Sequence, residues 1–278
     1  MLGVIDVGGG MRGAYTAGIY DLLMDQKLQP FDYCLGVSAG SANLVSYLAL
    51  QRGRNLRFYN VYAFRKEYMS AKNFLKHGSY IDLDYIYSTL CNEDGEDPVD
   101  YDAFARSTAR YEAVVTDAAT GKAVYYDKSH IRRNDFSVIK ASCAVPGAAR
   151  PYPVEGRPGF DGGVADPVPY QHALEQGCDK LVVLLTRPAD FVRPPLEHHG
   201  AMKALLRRWP NTMEALEVRY LRYNGAVAEV KALEAQGKAL LLAPDSIAGM
   251  ETLTKDETAV QRLYQKGYKD GEKILDFM

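Results

Sequence analysis

The sequence predicts an α/β fold in which a mostly parallel central sheet carries helices on both faces. Two observations support this prediction. Short apolar runs alternate with longer segments whose apolar residues recur at helical spacing. Two glycine-rich turns, at 8–13 and 36–40, each follow one of those runs and open into one of those segments. Parallel sheets of this kind bind ligands at the carboxyl ends of their strands, where both turns would lie.

Predicted strands and helices alternate along most of the chain. Each of the first two strands leads directly into a helix, and a pair of short strands surrounds the turn at 120–122. The last two apolar runs have the leucine-rich or valine-rich composition of buried parallel strands. The predicted strands are 2–7, 33–37, 113–116, 123–126, 180–185 and 238–243. The predicted helices are 14–24, 39–50, 169–175, 212–235 and 254–277.

Length and composition limit the class of protein. The chain has 278 residues, 47% of them hydrophobic and 24% charged, which suits one large domain or a domain with a C-terminal extension. A net charge of −2 gives no reason to expect nucleic-acid binding. The four cysteines are scattered, which indicates reduced thiols and no metal site, although the sequence also allows two disulfides. We find no signal peptide and no apolar run long enough to span a bilayer, and expect a cytoplasmic protein.

The first glycine turn has two functional interpretations. It consists of Gly8, Gly9, Gly10, Met11, Arg12 and Gly13. Its glycines fit the G-x-G-x-x-G pattern of dinucleotide-binding proteins, and Asp32 lies about 20 residues further on, as that pattern requires. Alternatively, successive glycines present backbone N–H groups to the oxyanion of a tetrahedral intermediate, with Arg12 adding charge or anchoring the loop. The dinucleotide interpretation does not explain the second turn.

The second turn has the pattern Gly-x-Ser-x-Gly. It consists of Gly36, Val37, Ser38, Ala39 and Gly40. A serine at the tip of a sharp strand-to-helix turn is exposed for nucleophilic attack, and the flanking glycines let strand and helix pass closely. The helix start places partial positive charge near the serine oxygen. Because the turn lies between a predicted strand and a predicted helix, it favours a catalytic Ser38 over a capping serine.

A nucleophilic serine requires a base, and no histidine has a persuasive setting. His172 lies on a predicted helix, and His198 and His199 lie in a polar, proline-flanked stretch. Asp161 is followed by Gly162 and Gly163, which allow another backbone to approach closely. A carboxylate in a partly dry site could take the serine proton directly, since desolvation raises its pKa.

Taken together, these motifs resemble one family, the patatin-like phospholipases, which are related to the catalytic domain of cytosolic phospholipase A2. The family pattern is a glycine-rich oxyanion loop, a Gly-x-Ser-x-Gly elbow and an Asp-Gly-Gly acid motif in that order, and the segment 141–147 resembles a further family block beside the active site. The resemblance covers roughly residues 2–190. It implies a three-layer sandwich and a dyad of Ser38 and Asp161 without histidine. Backbone N–H groups near Gly9, Gly10 and Met11 would form the oxyanion hole.

The same resemblance implies a function and a domain arrangement. Residues 1–190 would form the catalytic domain, and 191–278 a mostly helical extension packed on it, as in bacterial members. The implied function is hydrolysis of lipid acyl esters, of phospholipase A type, without a cofactor. Asp166 departs from the family pattern, which often has asparagine at that place before a proline. The alternatives are a non-catalytic lipid-binding module of the same fold and, from the first turn, a dinucleotide-binding oxidoreductase.

The segment 52–87 mixes aromatic and cationic residues. This mixture suits the headgroup level of an anionic membrane, so peripheral membrane contact is one interpretation. A helical cap with buried aromatic residues and a solvated basic face is the other. The acidic stretch 93–102 is predicted to be a solvated loop.

Overall fold

We describe the protein from a computed structural model, which covers residues 1–247 and 249–278. Eight strands form one sheet. The strands are β1 Leu2–Asp6, β2 Tyr33–Val37, β3 Arg110–Asp117, β4 Ala123–Asp127, β5 Tyr152–Val154, β6 Arg157–Asp161, β7 Lys180–Leu184 and β8 Ala239–Leu242. The six strands predicted from periodicity are all present, with ends that shift by a few residues. The sequence pattern missed β5 and β6, because two prolines and two glycines interrupt the alternation there.

Helices cover both faces of the sheet. The α-helices are α1 Ala14–Asp25, α2 Ala39–Leu48, α3 Arg54–Asn60, α4 Ala71–His77, α5 Tyr101–Arg106, α6 Ser137–Ser142, α7 Tyr170–Glu175, α8 His199–Leu205, α9 Pro210–Ala235, α10 Glu257–Asp270 and α11 Glu272–Phe277. Short 3₁₀ segments occupy Gly10–Gly13, Tyr62–Phe64, Lys128–His130 and Gly162–Val164, and Tyr85–Leu90 forms a π-helix. The segment predicted as one helix over 254–277 is two helices, which meet at Gly271.

The sheet is parallel at its centre and antiparallel at one side. Its order is β5-β6-β3-β2-β1-β7-β8, with β4 paired to β3. The four pairings within β3-β2-β1-β7-β8 are parallel, and those of β4, β5 and β6 are antiparallel. The predicted mostly parallel sheet is therefore confirmed, and the carboxyl ends of β1 and β2 meet at one end of it.

One edge of β3 is shared by two strands. β2 runs along this edge and ends where Val37 pairs with Val114. β4 occupies the opposite edge over Glu112–Thr116, so β6 has to use the same edge as β2. The next residue of β3, Val115, pairs with Asp161, the last residue of the antiparallel strand β6. The last residue of β6 is thereby placed just beyond the end of β2.

Successive strand residues face opposite layers, which confirms the three-layer arrangement. Val4, Cys34 and Val182 belong to a core cluster shared with α1, α2 and α10. The adjacent residues of the same strands face a second core cluster, which is shared with α7 and α9. All four cysteines are buried free thiols. Within the described part of the chain, we find no helix with the length and apolar character needed to cross a membrane.

Helices α10 and α1 pack closely because each has a glycine where it meets the backbone of the other. A Cβ atom on Gly18 would overlap the carbonyl oxygen of Tyr264, and one on Gly267 would overlap that of Tyr15. The Tyr15 hydroxyl also donates a 2.8 Å hydrogen bond to Asp270. The C-terminal residues therefore complete the same helical layer that supports the first glycine turn, and β8 adds the last strand of the sheet.

We expect Gly267→Ala to destabilise the protein by about 1–3 kcal/mol, because the added methyl group forces two backbones apart. Gly225 provides the matched control, since it lies in the exposed part of α9 with no atom near its Cβ position. Gly225→Ala should stabilise by about 0.5–1 kcal/mol through helix propensity alone. Urea unfolding of both variants measures the difference, and equal stabilities would contradict the close packing of α1 and α10.

Candidate active site

Ser38 lies at a strained turn between β2 and α2. Its backbone has φ 55° and ψ −132°, a conformation that L-residues rarely adopt. A Cβ atom on Gly36 would overlap Ser41, and one on Gly40 would overlap the carbonyl oxygen of Asp6. Only glycine at these two positions lets strand and helix approach as closely as they do. The turn therefore has the geometry predicted from the Gly-x-Ser-x-Gly pattern.

Two neighbouring serines hold the strained backbone of Ser38. The Ser38 N–H donates to Oγ of Ser142 at 2.9 Å, and the Ser142 hydroxyl donates to the Val114 carbonyl at 2.7 Å. The Ser41 hydroxyl donates to the Ser38 carbonyl at 2.6 Å. Both serines are completely buried. These bonds explain why the segment 141–147 lies beside the turn: Ser142 joins the Ser38 backbone to β3.

Asp161 is buried next to Ser38. Its Oδ1 accepts the N–H of Gly163 at 2.8 Å, and its carbonyl accepts the Thr116 hydroxyl at 2.8 Å. Burial raises the pKa of the Asp161 carboxyl above its usual range, while the positive charge of Arg219 and the neighbouring Ser38 hydroxyl act in the opposite direction. The structure thus brings together the two residues that the sequence proposed as nucleophile and base.

The first glycine turn lies beside Ser38, but only part of its backbone is free to bind a ligand. The Gly8 N–H is bonded to Asp6 Oδ1 at 3.0 Å, and the Met11 N–H to the Thr252 carbonyl at 2.9 Å. The expectation that Met11 offers a free N–H is therefore not met in this structure. The N–H groups of Gly9 and Gly10 have no hydrogen-bond partner among the described residues. Both glycines have positive φ values, a backbone conformation that glycine adopts without strain.

Arg12 anchors the same turn. Its side chain is 5% exposed, and Nη1 donates to the Thr252 hydroxyl at 3.2 Å and lies 3.6 Å from the Glu251 carboxylate. Burial, together with the charge of Arg187, lowers the pKa of Arg12 to about 10. Gly13 packs against the Tyr59 ring, with no room for a side chain.

Two cavities meet at Ser38. The larger one, the polar cavity, measures about 240 Å³ and has a mixed lining that is more polar than that of the second and includes Ser38, Asp161, Gly9 and Gly10. The second, the apolar cavity, measures about 30 Å³, and its lining includes Ser38, Phe58, Met69, Tyr87 and Leu253. Ser38 therefore borders both a mainly apolar cavity and one that contains several charged groups. No cluster of His, Cys, Asp or Glu suited to a metal ion occurs in the described ranges.

The structure places the rejected bases away from this site. His172 is bonded to Glu112 at 2.6 Å and stacks on Tyr125, and His199 pairs with Glu217. No described histidine lines either cavity. Asp166, whose role the sequence left uncertain, accepts the Tyr125 hydroxyl at 2.6 Å, outside the cavity.

The position of Asp32 contradicts the dinucleotide interpretation. Asp32 precedes β2 and accepts the N–H of Leu2 at 2.8 Å, so it lies at the amino ends of the strands. The glycine turn lies at their carboxyl ends. A ribose-binding acid has to follow the second strand, and the sequence spacing alone could not distinguish the two ends.

The aromatic and cationic segment 52–87 forms a cap over the apolar cavity. Phe58, Met69 and Tyr87 line that cavity, whereas Arg57 and Arg65 pair with carboxylates of the acidic stretch 93–102. Of the two interpretations of this segment, the helical cap with buried aromatic residues therefore describes most of it. The prediction that the acidic stretch is a solvated loop is wrong at Asp97, which is buried and pairs with Arg54 and Arg57.

Two family models match parts of this chain. A model described as patatin-like phospholipase matches residues 7–174, and a domain of unknown function (DUF6363) matches residues 209–278. The chain is 32% identical over 200 residues to the uncharacterized protein YjjU of Escherichia coli strain K12. This alignment covers 68% of this chain and 52% of that protein. Over 59 residues the chain is 41% identical to an uncharacterized NTE family protein of Mycobacterium tuberculosis. That alignment covers 21% of this chain and 15% of that protein. The chain spans about half the length of these curated relatives or less.

The fold is also similar to that of a solved structure. The crystal structure of VipD from Legionella pneumophila aligns with a TM-score of 0.56 and 12% sequence identity. The alignment covers 99% of this chain and 66% of that chain. At this identity the likeness shows the fold alone, and it extends beyond residues 7–174.

Proposed function

This chain belongs to the patatin-like phospholipase family, and we propose that it is a serine acyl hydrolase in which Ser38 is the nucleophile and Asp161 the general base. Family membership supports hydrolysis of lipid acyl esters in general. The observation that carries the specific assignment is the pairing of a serine on a strained turn with a buried carboxylate. The absence of histidine from both cavities, within the described residues, agrees with a dyad.

The reaction proceeds through an acyl-enzyme. Asp161 accepts the proton of the Ser38 hydroxyl while the serine oxygen attacks the ester carbonyl. The tetrahedral intermediate collapses, the C–O bond to the alcohol breaks, and Asp161 returns the proton to the leaving alcohol. Water then attacks the acyl-enzyme, gives its proton to Asp161, and releases the carboxylic acid. Asp161 finally returns that proton to the Ser38 oxygen.

The oxyanion of each tetrahedral intermediate is assigned to the N–H groups of Gly9 and Gly10. These two donors have no partner in the described part of the chain, and both glycines line the polar cavity with Ser38. Met11 does not contribute while its N–H is bonded to Thr252. One donor of this type contributes about 10²–10³ in rate.

The narrow apolar cavity is the proposed site of the acyl chain. Its walls are mainly aromatic and aliphatic side chains, and Gly10, Val145 and Thr252 line both cavities together with the serine. An ester carbonyl at Ser38 can therefore extend its acyl group into one cavity and its alcohol into the other. The proposed substrates are acyl esters, including phospholipids.

We predict that Ser38→Ala abolishes ester hydrolysis and that Asp161→Asn lowers kcat by about 10²–10⁴, because the serine then has no base. The matched control is Asp166→Asn, which changes a half-buried carboxylate outside the cavity and should retain most of the activity. The measurement is hydrolysis of p-nitrophenyl butyrate, combined with fluorophosphonate labelling and mass spectrometry of the labelled peptide. Hydrolysis by purified Ser38→Ala would refute the mechanism. Folded wild-type protein that neither labels nor hydrolyses would favour a non-catalytic lipid-binding module.

The pH dependence should report the Asp161 carboxyl. Asp161 has to be ionised to accept a proton, so kcat/KM is retained above its pKa and is lost as the pH falls through that value. Burial raises this pKa and Arg219 opposes the rise. Arg219→Gln should therefore move the acid limb of the profile to higher pH, whereas Arg219→Lys, which keeps the charge, should move it less. An acid limb that does not respond to either change would contradict the assignment of Asp161 as base.

We also propose peripheral membrane contact through helix α4. Phe74 and Leu75 are 50% and 85% exposed on this helix, which also carries Lys72 and Lys76. Replacing both apolar residues with serine should reduce co-sedimentation with anionic vesicles at least about tenfold, since each buried side chain contributes about 1.5–3 kcal/mol. Leu221→Ser is the control, because it removes an exposed leucine from α9. Equal sedimentation of all variants, or none by the wild type at low salt, would contradict this contact.

A further inference from the structure

Four arginine side chains converge on the polar cavity beside Ser38. They are Arg12, Arg187, Arg193 and Arg219. Asp161 is the one carboxylate among the described lining residues. Since the whole chain has a net charge of −2, this concentration of positive charge is local and does not follow from composition. A cavity wall with an excess of one charge attracts ligands of the opposite charge.

The positive charge of this arginine cluster is only partly neutralised. Glu251 lies 2.6 Å from Arg187 and 3.6 Å from Arg12, and its side chain is 60% exposed. Arg193 and Arg219 form no ion pair with any described residue. The Nε atoms of all four arginines are buried and have no hydrogen-bond partner among the residues that the structure describes. Buried donors without acceptors are costly, and an anion in the cavity would supply the acceptors.

The guanidinium groups also repel one another, and this repulsion helps to lower the pKa of Arg12 and of Arg193. Burial and the neighbouring charge of Arg219 lower the pKa of Arg193 to about 9, and burial lowers that of Arg219. Arginine is normally protonated far above neutral pH, so these lowered pKa values reflect first the burial of the guanidinium groups and then their mutual repulsion, which Asp161 and Glu251 offset only in part. A bound anion would offset this repulsion.

Most of the arginine cluster comes from outside residues 7–174, the part of the chain that the patatin-like model matches. Arg187 follows β7, Arg193 lies in the next loop, and Arg219 lies on α9. Arg193 is held in place by the Tyr223 ring, 4.7 Å from its guanidinium carbon, and by two backbone hydrogen bonds with Asn224 of 2.8 and 3.0 Å. The position of its guanidinium is therefore set before any ligand binds.

We propose that the arginine cluster is an anion subsite that binds a phosphate or carboxylate group on the alcohol side of the scissile ester. The apolar cavity that also borders Ser38 is the proposed site of the acyl group, so the substrates are anionic acyl esters whose charged end contacts residues supplied largely by the C-terminal part of the chain. Glu251 lies outside the lining of the cavity, but it pairs with Arg187 and therefore competes with the anion for that guanidinium. The placement of the ester rests on the proposed hydrolase function, whereas binding of the anion does not.

The first experiment is calorimetric titration with inorganic phosphate at constant ionic strength, in a Ser38→Ala background. Arg193→Gln should weaken phosphate binding about ten- to a hundredfold, the range for one charge-assisted hydrogen bond. Glu251→Gln should tighten it severalfold, because the competing carboxylate is removed. Arg208→Gln is the control, since it makes the same change of charge at an exposed residue outside the cavity. Equal weakening by Arg193→Gln and Arg208→Gln, or no binding at all, would overturn the subsite.

The second experiment compares octanoyl esters below their critical micelle concentrations. The alcohols are glycerol, glycerol 3-phosphate and glycolate, which give a neutral, a phosphate and a carboxylate substrate. We expect wild-type kcat/KM to favour at least one anionic ester over the neutral ester by tenfold or more, mainly through KM. Arg193→Gln should reduce this ratio about tenfold, and Arg193→Lys should restore part of it. The preferred anionic ester identifies the group that the subsite takes.

The outcomes separate the two proposals. Hydrolysis of all three esters at equal kcat/KM would overturn the anion subsite and leave the hydrolase intact. Phosphate binding that depends on Arg193, without hydrolysis of any ester, would retain the subsite and overturn the hydrolase.

Discussion

The candidate site depends on the edge of β3 that two strands share. β2 ends opposite Val114, and β6 begins its pairing at Val115, so the residue after β2 and the last residue of β6 become neighbours. This arrangement requires β4 on the other edge, which leaves β6 no alternative place. Ser38 and Asp161 are distant in the chain and adjacent in space for this reason alone. Backbone hydrogen bonds of the sheet fix their separation more rigidly than any contact between the two side chains.

A site built at the end of a strand needs support for a backbone that has left the sheet. The structure supplies this support with buried side chains that bond to the turns: Ser142 to the Ser38 N–H, Asp6 to the Gly8 N–H, and Thr116 to the Asp161 carbonyl. Burial raises the pKa of Asp6 to about 6, so holding the glycine turn has a cost at neutral pH. Each of these residues acts on geometry and makes no contact with a reacting atom. Strain at Ser38 persists because these contacts over-determine the turn.

The sequence predicts the local parts of this site and not their surroundings. Glycine spacing and apolar runs locate both turns, since backbone conformation at a turn is set by a few adjacent residues. The pattern does not reveal strand β6, because one proline and one glycine interrupt it and its pairing depends on the distant strand β3. Occupation of the Met11 N–H by Thr252, and the convergence of Arg187, Arg193 and Arg219, depend on contacts between distant segments, and no local pattern records them. The amphipathic spacing of α10 predicts a helix, but not that Gly267 would meet α1.

These distant contacts make the C-terminal part of the chain inseparable from the candidate site. α10 packs against the helix that follows the first glycine turn, Thr252 is bonded to that turn, and α9 brings Arg219 close to Asp161. The proposed base therefore owes part of its pKa to a residue outside the part of the chain that the patatin-like model matches. Since the same region also supplies most of the positive charge of the cavity, we expect changes in it to alter reactivity and substrate preference together. A family pattern confined to residues 7–174 can identify the candidate nucleophile and base, but three of the four arginines around them come from the rest of the chain.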